Sequence, residues 1–240
     1  MIGIYKMLWA TGCSHTYGDD LDDKLSAWPY LLAKKLGTSC NNNAVPGGSN
    51  ERVLYESVKS NTSDLAVIAW TYKERFTRYD NSNNFQINFN PGLTHSKYSD
   101  LYYFNQYGKL HYAHWSNTLY EFKIWLQQII VLQKYFESKS QRYLMLNAAQ
   151  NDYNKFSVSV DNFISSVKDL VCFDAMTDSQ IYQEHQEIQK YIAEIDMTCY
   201  YSINNFHITD LHSQYPVGNT GHLLDEGHQH LADRLYDCLK

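Results

Sequence analysis

Three short apolar runs constrain the fold of this chain more than any other feature. Met7-Leu8-Trp9-Ala10-Thr11, Asp64-Leu65-Ala66-Val67-Ile68-Ala69-Trp70 and Tyr143-Leu144-Met145-Leu146 are nearly continuous rather than alternating. A strand that is apolar at successive positions has both faces covered, as in a parallel sheet with helices on either side. Helical patterns separate the runs. Trp28, Leu31, Leu32 and Leu36 form one apolar face that ends at Gly37, with Ser26 as the expected cap; a helix over 50–60 capped by Ser49 turns Val53, Leu54 and Val58 inward. Leu119, Phe122, Leu126, Ile129, Ile130 and Leu132 predict a long helix over 116–136. From 151 to 201 the pattern is mostly helical, with Phe163, Val167 and Leu170 on one face and Ile188, Tyr191, Ile192 and Ile195 on another. The stretch 200–217 has no clear period, and a last helix over 225–239 buries Leu231, Leu235 and Leu239. Strands alternating with helices predict a three-layer α/β/α sandwich with a mostly parallel central sheet, layered like flavodoxin.

At 240 residues the chain is long enough to bury a core without staples, so one domain over 1–240 is expected. The Tyr- and Asn-rich stretch at about 72–115 breaks the rhythm and reads as an insertion; a loop of that length is functional or holds small strands. No run approaches the roughly 18 apolar residues of a membrane span, and Met1-Ile2-Gly3-Ile4-Tyr5-Lys6 does not resemble a signal peptide. A soluble, cytoplasmic protein that does not bind membrane is therefore expected, virion-associated if the source is viral. The net charge of −6 without a basic block argues against nucleic acid as a partner. Five scattered cysteines without a Cys-x-x-Cys argue against a disulfide framework and a zinc cage. His222, His228 and His230 have no distinctive spacing to carboxylates or cysteines, so no metal is expected. The 21 tyrosines suit a sugar or protein surface, or half-buried packing, and an oligomer stays open.

Two stretches carry the chemistry. Thr11-Gly12-Cys13-Ser14-His15-Thr16-Tyr17-Gly18 places a hydroxyl between glycines just after the first strand, and Asn219-Thr220-Gly221-His222 presents an imidazole before the last helix. A doubly wound sheet brings a first strand and a last loop together at its carboxyl edge. Gly12 to Gly18 resembles the first block of the SGNH (GDSL-type) hydrolases, in which the serine is the nucleophile. Asn42-Asn43-Ala44-Val45-Pro46-Gly47-Gly48 is similar to the second block, whose glycine N–H helps hold an oxyanion. His222 sits where that family has the histidine of Asp-x-x-His.

The resemblance implies acyl transfer to water: Ser14 as nucleophile, His222 as base, and the N–H groups of Ser14 and Gly47 as oxyanion donors. The implied substrate is a short acyl ester of a carbohydrate or other small molecule, with no cofactor. Three departures stand out. Cys13 replaces the Asp of Gly-Asp-Ser. Trp70-Thr71-Tyr72-Lys73-Glu74-Arg75 replaces the third block and its oxyanion Asn, for which Asn50 or Thr71 are the substitutes within reach. Asn219 occupies the acid slot three residues before His222; in a serine-protease triad such a change costs roughly 10⁴ in turnover. A Ser–His dyad, a slow enzyme, or a decayed binding or structural protein of the same fold are the outcomes this allows. Reading Asp225-Glu226-Gly227-His228 literally as Asp-x-x-His makes Asp225 and His228 the second choice. Arg75 is either a clamp for an anionic substrate group or a surface ion pair, and Cys13 reads as a buried cysteine rather than a reactive thiol.

Overall fold

The computed structural model describes residues 6–62, 64–80, 85–89, 102–114, 117–168, 176–203 and 205–240. Its sheet has four parallel strands in the order β2-β1-β3-β6: β1 (Met7–Thr11), β2 (Ser39–Asn42), β3 (Leu65–Trp70) and β6 (Arg142–Asn147). The continuous apolar runs become its middle. Side chains alternate across a strand, so Ala66, Ile68 and Trp70 of β3 enter one core while Leu65, Val67 and Ala69 enter the other. The first core is closed by α3 (Asn50–Ser57), α5 (Thr118–Ser138), α6 (Tyr153–Phe156), α7 (Val160–Lys168) and α8 (Asp178–Glu194), through Val53, Phe122, Phe156, Phe163 and Ile188 among others. The second is closed by α2 (Trp28–Leu36) and α9 (Asp225–Leu239), through Trp28, Leu32, Leu231 and Leu235. Helices thus cover both faces of a parallel sheet, in the three layers expected.

Several details depart from the sequence reading. Ser26 does not cap α2. It ends a 3-10 turn over Lys24–Ser26 whose cap is Asp23, and α2 starts at Trp28 with Pro29 in its first turn, where a missing N–H costs nothing. Strand β2 was not expected, because Ser39-Cys40-Asn41-Asn42 lies at the sheet edge and is too polar to show a buried pattern. The stretch after β3 holds an antiparallel hairpin, β4 (Phe76–Asp80) with β5 (Phe85–Phe89), followed by the helix α4 (Tyr102–His114). Phe76 and Phe89 stack at 4.5 Å between ring centroids, and Tyr107, His111 and Tyr112 pack around them. Among the described residues, 200–217 pairs with β6 through isolated parallel bridges at Tyr200 and His207 rather than through a strand, so it shows no strand period. Leu170, Cys172, the Val167 side chain and much of the tyrosine-rich stretch, including 90–101, lie outside the described residues. Among the described residues no helix is long and apolar enough to cross a membrane.

Candidate active site

The chain leaves β1 for β2 on one side and returns to β3 on the other, which makes the carboxyl end of β1 a switch point of the sheet. Ser14 opens the short helix α1 (Ser14–Tyr17) at that point. Cys13, buried in the second core, anchors the turn by accepting from the N–H of Thr16 and Tyr17, both at 2.9 Å. Gly18 ends it with φ +80°, a left-handed conformation that reverses the chain at once. The second-block loop is tied down beside it. Asn43 N–H donates to Ala10 O (2.8 Å), Val45 N–H to Gly12 O (3.4 Å) and Asn42 Nδ2 to Thr16 O (2.9 Å).

From the far end of the chain the loop before α9 brings His222, whose Nε2 lies 2.7 Å from Ser14 Oγ. Its Nδ1 lies 2.8 Å from Thr220 Oγ1 and 3.5 Å from Asp20 Oδ2. Asn219, the residue in the family's acid slot, is exposed and makes no hydrogen bond to the ring. The carboxylate behind the imidazole is Asp20, from the acidic turn 19–23. Nothing in that turn's sequence separates Asp20 from Asp19, Asp22 and Asp23. The second-choice pair is not in the site: Asp225 is an exposed first-turn residue of α9, and His228 is fully buried, its Nδ1 accepting from Trp28 N–H at 3.1 Å to pin α9 on α2. His230 stacks on Tyr215 at 5.0 Å, so His222, His228 and His230 serve three separate places.

Asn50, expected as an oxyanion donor, uses one of its two amide hydrogens in a backbone contact. Its buried side chain clasps the backbone just past β3, accepting from Thr71 N–H (2.8 Å) and donating to Thr71 O (3.1 Å). Thr71 is itself buried, and its hydroxyl accepts from Arg75 Nη1 at 2.9 Å. The Arg75 guanidinium lies over the Tyr72 ring at 4.8 Å, and its charge reaches His15. Glu74 pairs with Lys73, which also holds Asp152 at 2.6 Å. Among the described residues Arg75 forms no ion pair, the second of its two readings.

Two further histidines lie close by: His15, inside the first block, and His212, which no motif marks. His15 packs its ring 4.7 Å from His222 and 5.3 Å from His212. Burial first, then the nearby His222, His212, Arg75 and His228, push its pKa well below the usual histidine value, so it stays neutral. Burial, with a smaller contribution from His222, lowers His228 to about 4. A histidine depressed in the fold is protonated more readily when unfolded, so stability rises with pH between the folded value and 6.5. From pH 7 to pH 5, His228 alone is expected to remove on the order of 2 kcal/mol. Urea melts across that range should show midpoints falling with acid, with a shallower fall for His228→Gln; flat midpoints in the wild type refute the assignment.

No protein-family model matches the sequence, and no curated protein matches it. Solved structures similar to it include a psychrotrophic esterase from Pseudoalteromonas sp., 12% identical over 98% of this chain and 96% of that one, with a TM-score of 0.48. An acetyl xylan esterase is 12% identical over 98% of this chain and all of the other (100%), with a TM-score of 0.47. A protein described as lipolytic, of the G-D-S-L family from Desulfitobacterium hafniense, is 10% identical over 97% of this chain and 99% of that one, with a TM-score of 0.45. These are likenesses of chain path at low identity; the three-layer α/β fold rests on the strand order and the two cores described above.

Proposed function

We propose that the protein is a serine ester hydrolase of SGNH type that removes short, acetyl-like acyl groups from a carbohydrate or other small ester. The observation that carries this reading is the 2.7 Å contact between Ser14 Oγ and His222 Nε2, made by residues 208 positions apart. That distance is the reach a nucleophile and its general base need. His222 Nε2 takes the Ser14 proton as Oγ attacks the ester carbonyl. The N–H groups of Ser14 and Gly47 receive the oxyanion, and neither donates to a backbone acceptor among the described residues. His222 then protonates the leaving alcohol, and water, activated by the same nitrogen, releases the acid and restores Ser14. Arg75, with no carboxylate partner among the described residues, holds an anionic group of the substrate in this reading.

The rival reading, a binding or structural protein with a decayed site, drew on Asn219 and the altered third block. Asp20 behind His222 removes the first reason. Incubation with a fluorophosphonate probe is expected to add one adduct at Ser14, seen by intact mass and peptide mapping, alongside measurable hydrolysis of p-nitrophenyl acetate. Folded protein that stays unmodified at high probe concentration would favour the rival.

A further inference from the structure

The acid of this site comes from the opposite end of the chain to its histidine. Asp20 follows the nucleophile turn directly, on a loop held in place by Lys24, whose Nζ donates to Gly18 O (2.8 Å), Asp19 O (2.9 Å) and Leu21 O (2.8 Å). Its carboxylate is received by the His222 loop. Oδ2 accepts from the N–H of His222 (3.0 Å) and of Thr220 (3.0 Å), and Oδ1 from Thr220 N–H at 3.3 Å. The receiving loop is shaped for it. A Cβ on Gly218 would lie 2.4–2.7 Å from Asp20 Cβ, Cγ and Oδ2, closer than real carbons approach. Among the described residues, Asp20 is the one carboxylate within ion-pair reach of His222, while His15 packs on the ring and His212 packs on His15.

The contact to the ring is indirect. Asp20 Oδ2 is 3.5 Å from Nδ1, too long for a hydrogen bond, whereas Thr220 Oγ1 is 2.8 Å from Nδ1 and belongs to the residue whose N–H holds the carboxylate at 3.0 Å. Burial tends to raise the Asp20 pKa, but the N–H of His222 and the hydroxyl and N–H of Thr220 outweigh it and leave the carboxyl below its usual value.

We propose that Asp20 is the acid of the Ser14–His222 pair and acts through Thr220, whose hydroxyl accepts the Nδ1 proton of His222 and donates its own to the carboxylate. The proposal rests on the hydrolase reading for its catalytic meaning. When His222 takes the serine proton, Nδ1–H stays on the ring, Thr220 keeps its hydrogen, and Asp20 stays ionised. The carboxylate thus stabilises the imidazolium without receiving a proton, and Thr220 is a positioning residue that fixes the tautomer with Nδ1 protonated.

The test compares wild type with Asp20→Asn, Thr220→Val, Thr220→Ser and Asn219→Ala. kcat for p-nitrophenyl acetate is expected to fall about 10²- to 10⁴-fold in Asp20→Asn. It should fall about tenfold or more in Thr220→Val, recover in Thr220→Ser, and stay within about twofold of wild type in Asn219→Ala. The second readout is the His222 tautomer followed by nitrogen NMR, which needs no turnover. The neutral ring should carry its proton on Nδ1 in wild type and Thr220→Ser, and on either nitrogen in Asp20→Asn and Thr220→Val. An unchanged tautomer in Asp20→Asn, or equal effects of Thr220→Val and Thr220→Ser, overturns the proposal. Absence of turnover and of a fluorophosphonate adduct in the wild type overturns the hydrolase reading instead, and the tautomer then still decides whether Asp20 and Thr220 orient His222.

Discussion

Replacing Ser14 with Ala is expected to lower kcat for p-nitrophenyl acetate about 10⁴- to 10⁶-fold, and His222→Gln by a similar factor. The size of the effect follows from the two groups acting as one unit. Without the hydroxyl there is no covalent intermediate, and without the imidazole the hydroxyl stays protonated at neutral pH. The double variant should be no slower than either single one, because the second change removes a group that already has nothing to act on. What remains is the contribution of the oxyanion donors and of binding. The fold should be indifferent to the first change. Ser14 is buried, but among the described residues its hydroxyl bonds only His222, and Ala fits the start of a helical turn, so thermal midpoints should stay within a few degrees. A Ser14→Ala protein that hydrolyses the ester as fast as wild type would show that the 2.7 Å contact is structural.

Asn50→Ala should be the most costly of the single changes near the site for stability, by about 2–6 kcal/mol. Both hydrogen bonds of the Asn50 amide go to the backbone N–H and C=O of Thr71, a residue only 1% exposed, so truncation leaves two buried polar groups without a partner. Each such group costs roughly 1–3 kcal/mol, against a whole-domain stability of about 5–15 kcal/mol. Asn50→Asp should cost less than Ala, because a carboxylate still accepts from Thr71 N–H although it no longer donates to Thr71 O. Urea unfolding of the three proteins measures both differences; a loss under about 0.5 kcal/mol in Asn50→Ala would mean that water or a neighbouring group replaces the amide. The same clasp joins the start of α3 to the end of β3, and Ser49 Oγ adds a 2.6 Å bond to Thr77 Oγ1 beside it. The amide therefore organises the wall of the site.

How much of this was legible in the sequence differs by element. β1, β3 and β6 were readable because a strand covered on both faces cannot hide its composition, and α5 and α9 because a helix over a sheet must repeat its apolar positions at 3.6. Ser14 and His222 were also named from short motifs, each with its own local geometry, and the fold brings them to 2.7 Å. β2 left no such trace, because an edge strand half open to water tolerates Asn and Ser as well as Val. The hairpin β4–β5 is stabilised by one stacked Phe76–Phe89 pair and its neighbours on α4, a contact between distant positions with no period of its own.

Asp20 shows where local reading stops. Four carboxylates occupy positions 19–23, and all look alike in one dimension. Only the folded chain brings Gly218, Thr220 and His222 against one of them, because that choice is made by two backbone N–H groups and a missing Cβ some 200 residues away. The order of apolar and polar residues along the chain was enough to determine the layers and the edge at which a site forms. Which acid, which amide and which hydroxyl face that site was decided by the tertiary structure alone, since hydrogen bonds of a few ångströms depend on where loops meet and leave no pattern in the residues between them.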